Sequence, residues 1–160
     1  MKHLFFSLIT VILFSCNFSA QNEKKNKSFP VTKTDAEWRA TLSELQYYVL
    51  REEGTERAFT SPLNKNYNKG TYVCAACKTP LFKSEHKFDS GTGWPSFDRE
   101  IKGNVAFSTD HKIGYPRTEE HCANCGGHLG HVFDDGPKTT GKRHCINGSA
   151  LLFIPAKDGK

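Results

Sequence analysis

The chain has 160 residues, 37% of them hydrophobic, and a formal net charge of +5 with a pI near 8.9. That allows one domain with one modest core and leaves little room for a second. Its Lys and Arg residues are scattered, which argues against a nucleic-acid-binding face; the densest group, Lys24, Lys25 and Lys27, lies in a polar stretch and reads as a solvated tail.

Met1-Lys2-His3 is short and basic, and Leu4 to Phe14 (LFFSLITVILF) is an apolar run of about eleven residues. Such a run is too short to span a bilayer and has the length of a signal-peptide core. Leu13-Phe14-Ser15-Cys16 resembles a bacterial lipobox, in which Cys16 is lipidated and becomes the first residue; the alternative is cleavage after Ala20. Residues 1–16 are thus expected to be a signal segment, 17–33 a polar, lysine-rich flexible tether, 34–156 the domain and 157–160 a short tail. Either cleavage exports the chain, to the cell envelope or periplasm, with a lipid anchor on Cys16 as the favoured form. A monomer is expected.

Thr34-Asp35-Ala36-Glu37 is a capping-box sequence, and Trp38, Leu42 and Leu45 follow at helical spacing. Ser43-Glu44-Leu45-Gln46 is a second cap, so two short helices are expected, the second running to about Arg51, with their Trp, Leu and Tyr residues in the core. Gly54 ends the helical part, and the polar stretch Thr55 to Tyr67, with Pro62, reads as a loop. From Gly70 the pattern changes. Thr71-Tyr72-Val73, Leu81-Phe82, Val105-Ala106-Phe107, His131-Val132-Phe133 and Leu151 to Ile154 are short apolar runs separated by Gly, Pro, Asn and Asp. They predict an all-β core of short strands.

There are six cysteines: Cys16, Cys74, Cys77, Cys122, Cys125 and Cys145. Cys74-Ala-Ala-Cys77 and Cys122-Ala-Asn-Cys125 are CxxC pairs, each followed by a turn-prone residue, Lys78 and Gly126. Two such knuckles supply four thiolates in a tetrahedron, the preferred setting of a structural Zn²⁺ with no open position. About 44 residues separate Cys77 from Cys122, so intervening strands must loop out and return. In an exported chain, disulfides are the competing assignment. A CxxC disulfide, however, is usually a redox device rather than a staple.

Cys145 is left over. Arg143 lies two residues before it and Asn147 two after, so on a strand all three share a face, and a nearby guanidinium favours thiolate over thiol. His128 and His131 are the candidates for proton transfer near neutral pH.

With these residues in place the chain resembles the B-type methionine sulfoxide reductases, from about Asp35 to Pro155. The likeness rests on Gly54-Thr55-Glu56, the two knuckles, Lys87 to Gly91, Gly93-Trp94-Pro95-Ser96-Phe97, Arg117-Thr118-Glu119, Gly127 to Pro137 and Arg143-His144-Cys145-Ile146-Asn147. It implies a mainly β fold of two antiparallel sheets with short N-terminal helices, and one structural zinc on Cys74, Cys77, Cys122 and Cys125. Cys145 matches the nucleophile and Trp94 the aromatic that packs on the substrate methyl. His128, His131 and Asn147 match residues that bind or protonate the sulfoxide oxygen, and Arg143 the basic residue beside the nucleophile. The implied substrates are peptides and proteins bearing the R epimer of methionine sulfoxide.

Thr92 stands where many members carry a second, resolving cysteine, so the resemblance implies a one-cysteine cycle closed by an external, thioredoxin-like or other thiol. His144 stands where an aromatic is more usual, and its side chain should face away from Cys145. Two rival assignments are a zinc-ribbon binding module and a disulfide-stabilised structural domain; neither needs a reactive thiol at Cys145.

Overall fold

The computed structural model describes residues 29–157; the proposed signal segment, Cys16 and most of the tether lie outside them. Two helices come first. In α1 (Asp35–Thr41) the Thr34 hydroxyl accepts from the Glu37 N–H, and the Glu37 carboxylate accepts from the Thr34 N–H at 2.7 Å. Ser43 and Gln46 repeat this reciprocal bond at the start of α2 (Glu44–Glu52). Each box satisfies two backbone donors that a helix start leaves free. Glu53 ends α2 in the left-handed region, at φ 56°.

Burial on the helices is narrower than expected. Trp38, Leu42, Tyr47, Val49 and Leu50 enter the core, but Leu45 and Tyr48 remain 47% and 46% exposed. In an amphipathic helix this short the stripe facing the core holds only Tyr47, Val49 and Leu50.

Nine strands follow: β1 (Gly70–Cys74), β2 (Pro80–Lys83), β3 (Lys87–Phe88), β4 (Ser96–Phe97), β5 (Val105–Asp110), β6 (Arg117–Cys122), β7 (His128–Phe133), β8 (Arg143–Ile146) and β9 (Leu151–Pro155). They form two antiparallel sheets, a small one ordered β2-β1-β9 and a larger one ordered β3-β4-β8-β7-β6-β5. Every strand run expected from the sequence is present. The sheets meet through aromatic rings: Phe82 of the small sheet stacks on Phe97 of the large one at 4.4 Å, and Tyr72 meets Phe97 edge-on at 5.0 Å. Such contacts add about 0.5–1.5 kcal/mol each to the burial of the rings.

The end of the expected tether is engaged with the domain. The Val31 N–H donates to the Asn124 carbonyl at 2.8 Å, and Val31 packs against the core. The Phe29 ring covers Gly126 at the second knuckle.

Pairing register divides the large sheet into two faces. Phe97, His144 and Ile146 point into the core. Cys145 is paired with Ser96 on one side and His131 on the other, and His131 is paired with Glu119. Residues directly opposite one another share a face, so these four line up across the sheet on the side away from the aromatic core. One irregularity decides what else lies there. Glu120 pairs with Gly130, yet His121 pairs with His128, so β7 carries an extra residue, Leu129. This bulge turns Leu129 into the core and brings His128 to the same face as His131, although strict alternation would separate residues three apart.

Candidate active site

The five described cysteines fall into two groups. Cys74 ends β1 and Cys122 ends β6, and after each the chain turns sharply. The Lys78 and Gly126 N–H groups donate back to the Cys74 and Cys122 carbonyls, both at 2.9 Å, with Lys78 and Gly126 in left-handed conformation. The turns aim four sulfurs at one point: Cys74 Sγ is 3.7 Å from Cys125 Sγ and Cys77 Sγ is 3.5 Å from Cys122 Sγ. Zn–S bonds of about 2.3 Å place tetrahedral sulfurs roughly 3.8 Å apart. The separations therefore fit a zinc held by four thiolates and are far longer than the roughly 2 Å of a disulfide. All five are free thiols. Because Cys74 and Cys122 belong to different sheets, a metal held here ties the two sheets together.

Cys145 lies elsewhere. It lines a cavity of about 130 Å³ together with Trp94, His131, Asn147, Thr55, Arg117, Phe133 and the backbone of Gly130. Gly130 is required by a close approach: a Cβ there would strike the Cys145 carbonyl. Of the residues singled out from the sequence, Cys145, Trp94, His131 and Asn147 reach the cavity. His128 stands behind His131, with ring centroids 5.6 Å apart, and is 2% exposed. Arg143 flanks the cavity rather than lining it; its guanidinium grips Asp135 through two bonds of 2.8 Å and covers the Phe133 ring at 4.4 Å.

The surroundings of Cys145 correct one expectation. Burial pushes its thiol up, and the hydrogen bond from Thr92 and the charge of Arg143 offset this only in part. Cys145 is thus held chiefly as thiol, because removing a sulfur anion from water outweighs the help of one guanidinium that is shared with Asp135. The Thr92 hydroxyl lies 3.8 Å from Cys145 Sγ and is linked to Ser90, which meets Ser96 in turn, at 2.8 and 2.7 Å. A short chain of hydroxyls therefore supports the sulfur.

Both histidines face carboxylates. His131 Nε2 contacts Asp110 Oδ2 at 2.9 Å, and Arg117 also pairs with Asp110. Asp110 is drawn down to about 2 by the Lys112 N–H and then, against the cost of burial, by His131 and Arg117. Burial pushes His131 down, with Asp110 opposing, so the imidazole is mainly neutral at pH 7. His128 Nδ1 is 2.7 Å from Glu119 Oε1. Burial acts to raise Glu119, but His121 and His128 outweigh it and hold the carboxyl well below its usual range.

Sequence reasoning missed Asp110, Glu119 and Glu56 as parts of this site. Glu56 is 4% exposed and acts as a hub. Its carboxylate accepts from the Gly148 and Ser149 N–H groups at 2.6 and 2.7 Å, its N–H donates to Asn147 Oδ1 at 2.9 Å, and its carbonyl accepts from the Trp94 indole at 3.2 Å. Asn147 in turn donates its backbone N–H and its Nδ2 to the carbonyl of bulged Leu129, at 2.9 and 3.0 Å. The amide is thus oriented by backbone on two sides, which leaves one Nδ2 hydrogen uncommitted. The only sequence signal for Glu56 was its place beside Gly54-Thr55. His144 behaves as expected: it faces the core, 2.7 Å from buried Glu120.

Residues 42–155 match the SelR domain family. The chain is 56% identical over 126 residues to the peptide methionine sulfoxide reductase MsrB of Agrobacterium fabrum, covering 78% of this chain and 93% of that protein. It is 53% identical over 127 residues to the MsrB of Leptospira interrogans, covering 79% and 97%. The chain belongs to the B-type methionine sulfoxide reductases. A more distant relative is the mitochondrial methionine-R-sulfoxide reductase B3 of the mouse, 46% identical over 143 residues, which span 89% of this chain and 56% of that protein. The matched region takes in both knuckles and every residue of the cavity, so family membership and the two-sheet fold account for the same residues. The chain is accordingly an oxidoreductase.

Proposed function

We propose that this reductase returns the R epimer of methionine sulfoxide in peptides and proteins to methionine, with Cys145 as nucleophile in a one-cysteine cycle closed by an external thiol. The observation that carries the reading is the placement of the one described cysteine outside the four-cysteine cluster in a cavity with an indole, an imidazole and an oriented amide. A sulfoxide oxygen leaves poorly until it is protonated, so a sulfur nucleophile needs an acid opposite it. Cys145 Sγ attacks the sulfoxide sulfur as thiolate. The proton that leaves the Cys145 thiol passes by way of the histidine side to the sulfoxide oxygen; there His131 is held by Asp110, and His128 stands against Glu119. Asn147 Nδ2 steadies the oxygen, and the Trp94 face packs on the substrate methyl. Oxygen passes to Cys145, which becomes a sulfenic acid, and the thioether departs.

One thiol then displaces water from the sulfenic acid to form a mixed disulfide, and a second releases Cys145 as thiol with the reductant oxidised to its disulfide. Thr92, whose hydroxyl lies 3.8 Å from Cys145 Sγ, stands where a resolving cysteine would be, and the remaining described cysteines converge on the metal site. Zinc on Cys74, Cys77, Cys122 and Cys125 would hold the sheets together and supply no chemistry to the cavity. The N-terminal apolar run and lipobox-like Cys16 support work in the cell envelope, on a lipid-anchored chain.

The test is turnover of a peptide containing R-methionine sulfoxide, with dithiothreitol as reductant, for wild type and Cys145→Ser, alongside a sulfenic-acid-trapping reagent. Wild type should turn over and be trapped at Cys145 once oxidised with zinc still bound; Cys145→Ser should be inactive while folded. Equal activity in the two would remove Cys145 from the chemistry. A disulfide between Cys145 and a knuckle cysteine, with zinc released, would overturn the one-cysteine cycle.

A further inference from the structure

Beside the cavity, three side chains converge that the reaction does not need together: Glu119 and His121 on β6 and His128 on β7. One ligand atom from each lies within 4.8 Å of the others. Glu119 Oε1 is 2.7 Å from His128 Nδ1, and Oε2 is 3.3 Å from His121 Nε2. The carboxylate therefore sits between two imidazole nitrogens. Glu119 and His128 are 7% and 2% exposed. The contact of Glu119 with His128 has the distance of a hydrogen bond but not its direction, and His128 Nδ1 is a buried nitrogen without a hydrogen-bond partner. A nitrogen aimed at a carboxylate-lined point, and unsatisfied there, is what a metal ligand looks like before the metal arrives.

We propose that Glu119, His121 and His128 form a second metal site, separate from the four-cysteine cluster, for a borderline divalent cation such as Zn²⁺. Two imidazoles and one carboxylate suit Zn²⁺, and three protein ligands leave a position for water. The bulge at Leu129 makes the site, since it turns His128 to the face of Glu119 and His121. Arg117, the nearest cation along β6 on this face, is paired with Asp110 and so opposes the metal's charge less than a free guanidinium would. The competitor is Ser108, whose hydroxyl lies 2.8 Å from His121 Nε2. His121 must exchange that bond for the metal, so the second site binds more weakly than four thiolates and exchanges freely. On the reading of function above, filling it takes His128 from the reacting side, and free zinc inhibits the reductase reversibly.

The experiment loads the full chain with one zinc, equilibrates it with micromolar free Zn²⁺ and counts bound metal, for wild type, His121→Ala and His121→Asp. Wild type should hold a second equivalent, His121→Ala only the first, and His121→Asp, which restores an oxygen ligand, two again. Turnover of wild type and of His121→Asp should fall as the second equivalent fills, and that of His121→Ala should not respond. One zinc in wild type, or a second bound equally well by His121→Ala, overturns the site. A second equivalent that leaves turnover unchanged keeps the site and removes His128 from the reaction, which separates the failure of one idea from that of the other.

Discussion

Cys122 and Cys145 sit two strands apart in the same sheet and point to opposite faces. Cys122 has three sulfurs for neighbours and is fully buried. Cys145 has a threonine hydroxyl, a guanidinium and a cavity. The residue type is the same, so what each thiol does is set by its partners. Convergent sulfurs make a ligand set; a hydroxyl, a charge and access to a substrate make a nucleophile.

The strongest way to break this comparison is at the ligand end. Cys122→Ser should retain no zinc and lose its cooperative thermal transition, since a structural zinc site supplies folding free energy directly; metal analysis and a circular-dichroism melt check both. Next comes Glu56→Gln, which sets an amide N–H against one of two buried N–H donors. It should cost about 2 kcal/mol in denaturant unfolding and, by loosening Trp94 and Asn147, lower kcat/KM on the order of tenfold or more.

Arg143→Ala sharpens the nucleophile end. Arg143 lowers the Cys145 pKa, so its loss raises that pKa further and reduces the thiolate fraction at pH 7. Alkylation of Cys145 should slow roughly three- to tenfold at pH 7, and the deficit should close as pH rises past the new pKa. A rate at pH 7 equal to wild type would show that Asp135 has already cancelled the guanidinium. The smallest effect is expected from Thr92→Val: the same alkaline displacement, about twofold in rate at pH 7, with no loss of stability.

Much of the fold was legible because its signals are local. Both capping boxes and both knuckles are short patterns whose geometry follows from residues three or four apart. β6 was not legible. Arg117, Glu119, Glu120 and His121 make it look like a solvated segment, yet Glu119 and Glu120 are buried. Their partners, His128 and His144, lie on β7 and β8, and no local pattern reports a charge that is neutralised from another strand. Leu45 and Tyr48 err the other way: helical spacing marks them as apolar without saying where the neighbouring sheet ends. For the site, Cys145 and its strand neighbours were readable from alternation. Asp110 and Glu56 were not, since both act across more than twenty residues of chain. The state of the Cys145 thiol was misjudged because the sequence names Arg143 but not the depth at which the sulfur sits.

The extra residue in β7 has one more consequence. It makes the count of residues, and not only their identity, part of the site. Smoothing the ladder with every residue kept would set His128 three places from His131 in strict alternation and turn it into the core, whereas deleting Leu129 would leave His128 on its face but take a fully buried side chain out of the core. The stretch from Cys125 to His131 therefore has no slack for insertion or deletion, whereas the hairpin tip near Ile113 and Tyr115, exposed and touching no part of the cavity, is free to change length.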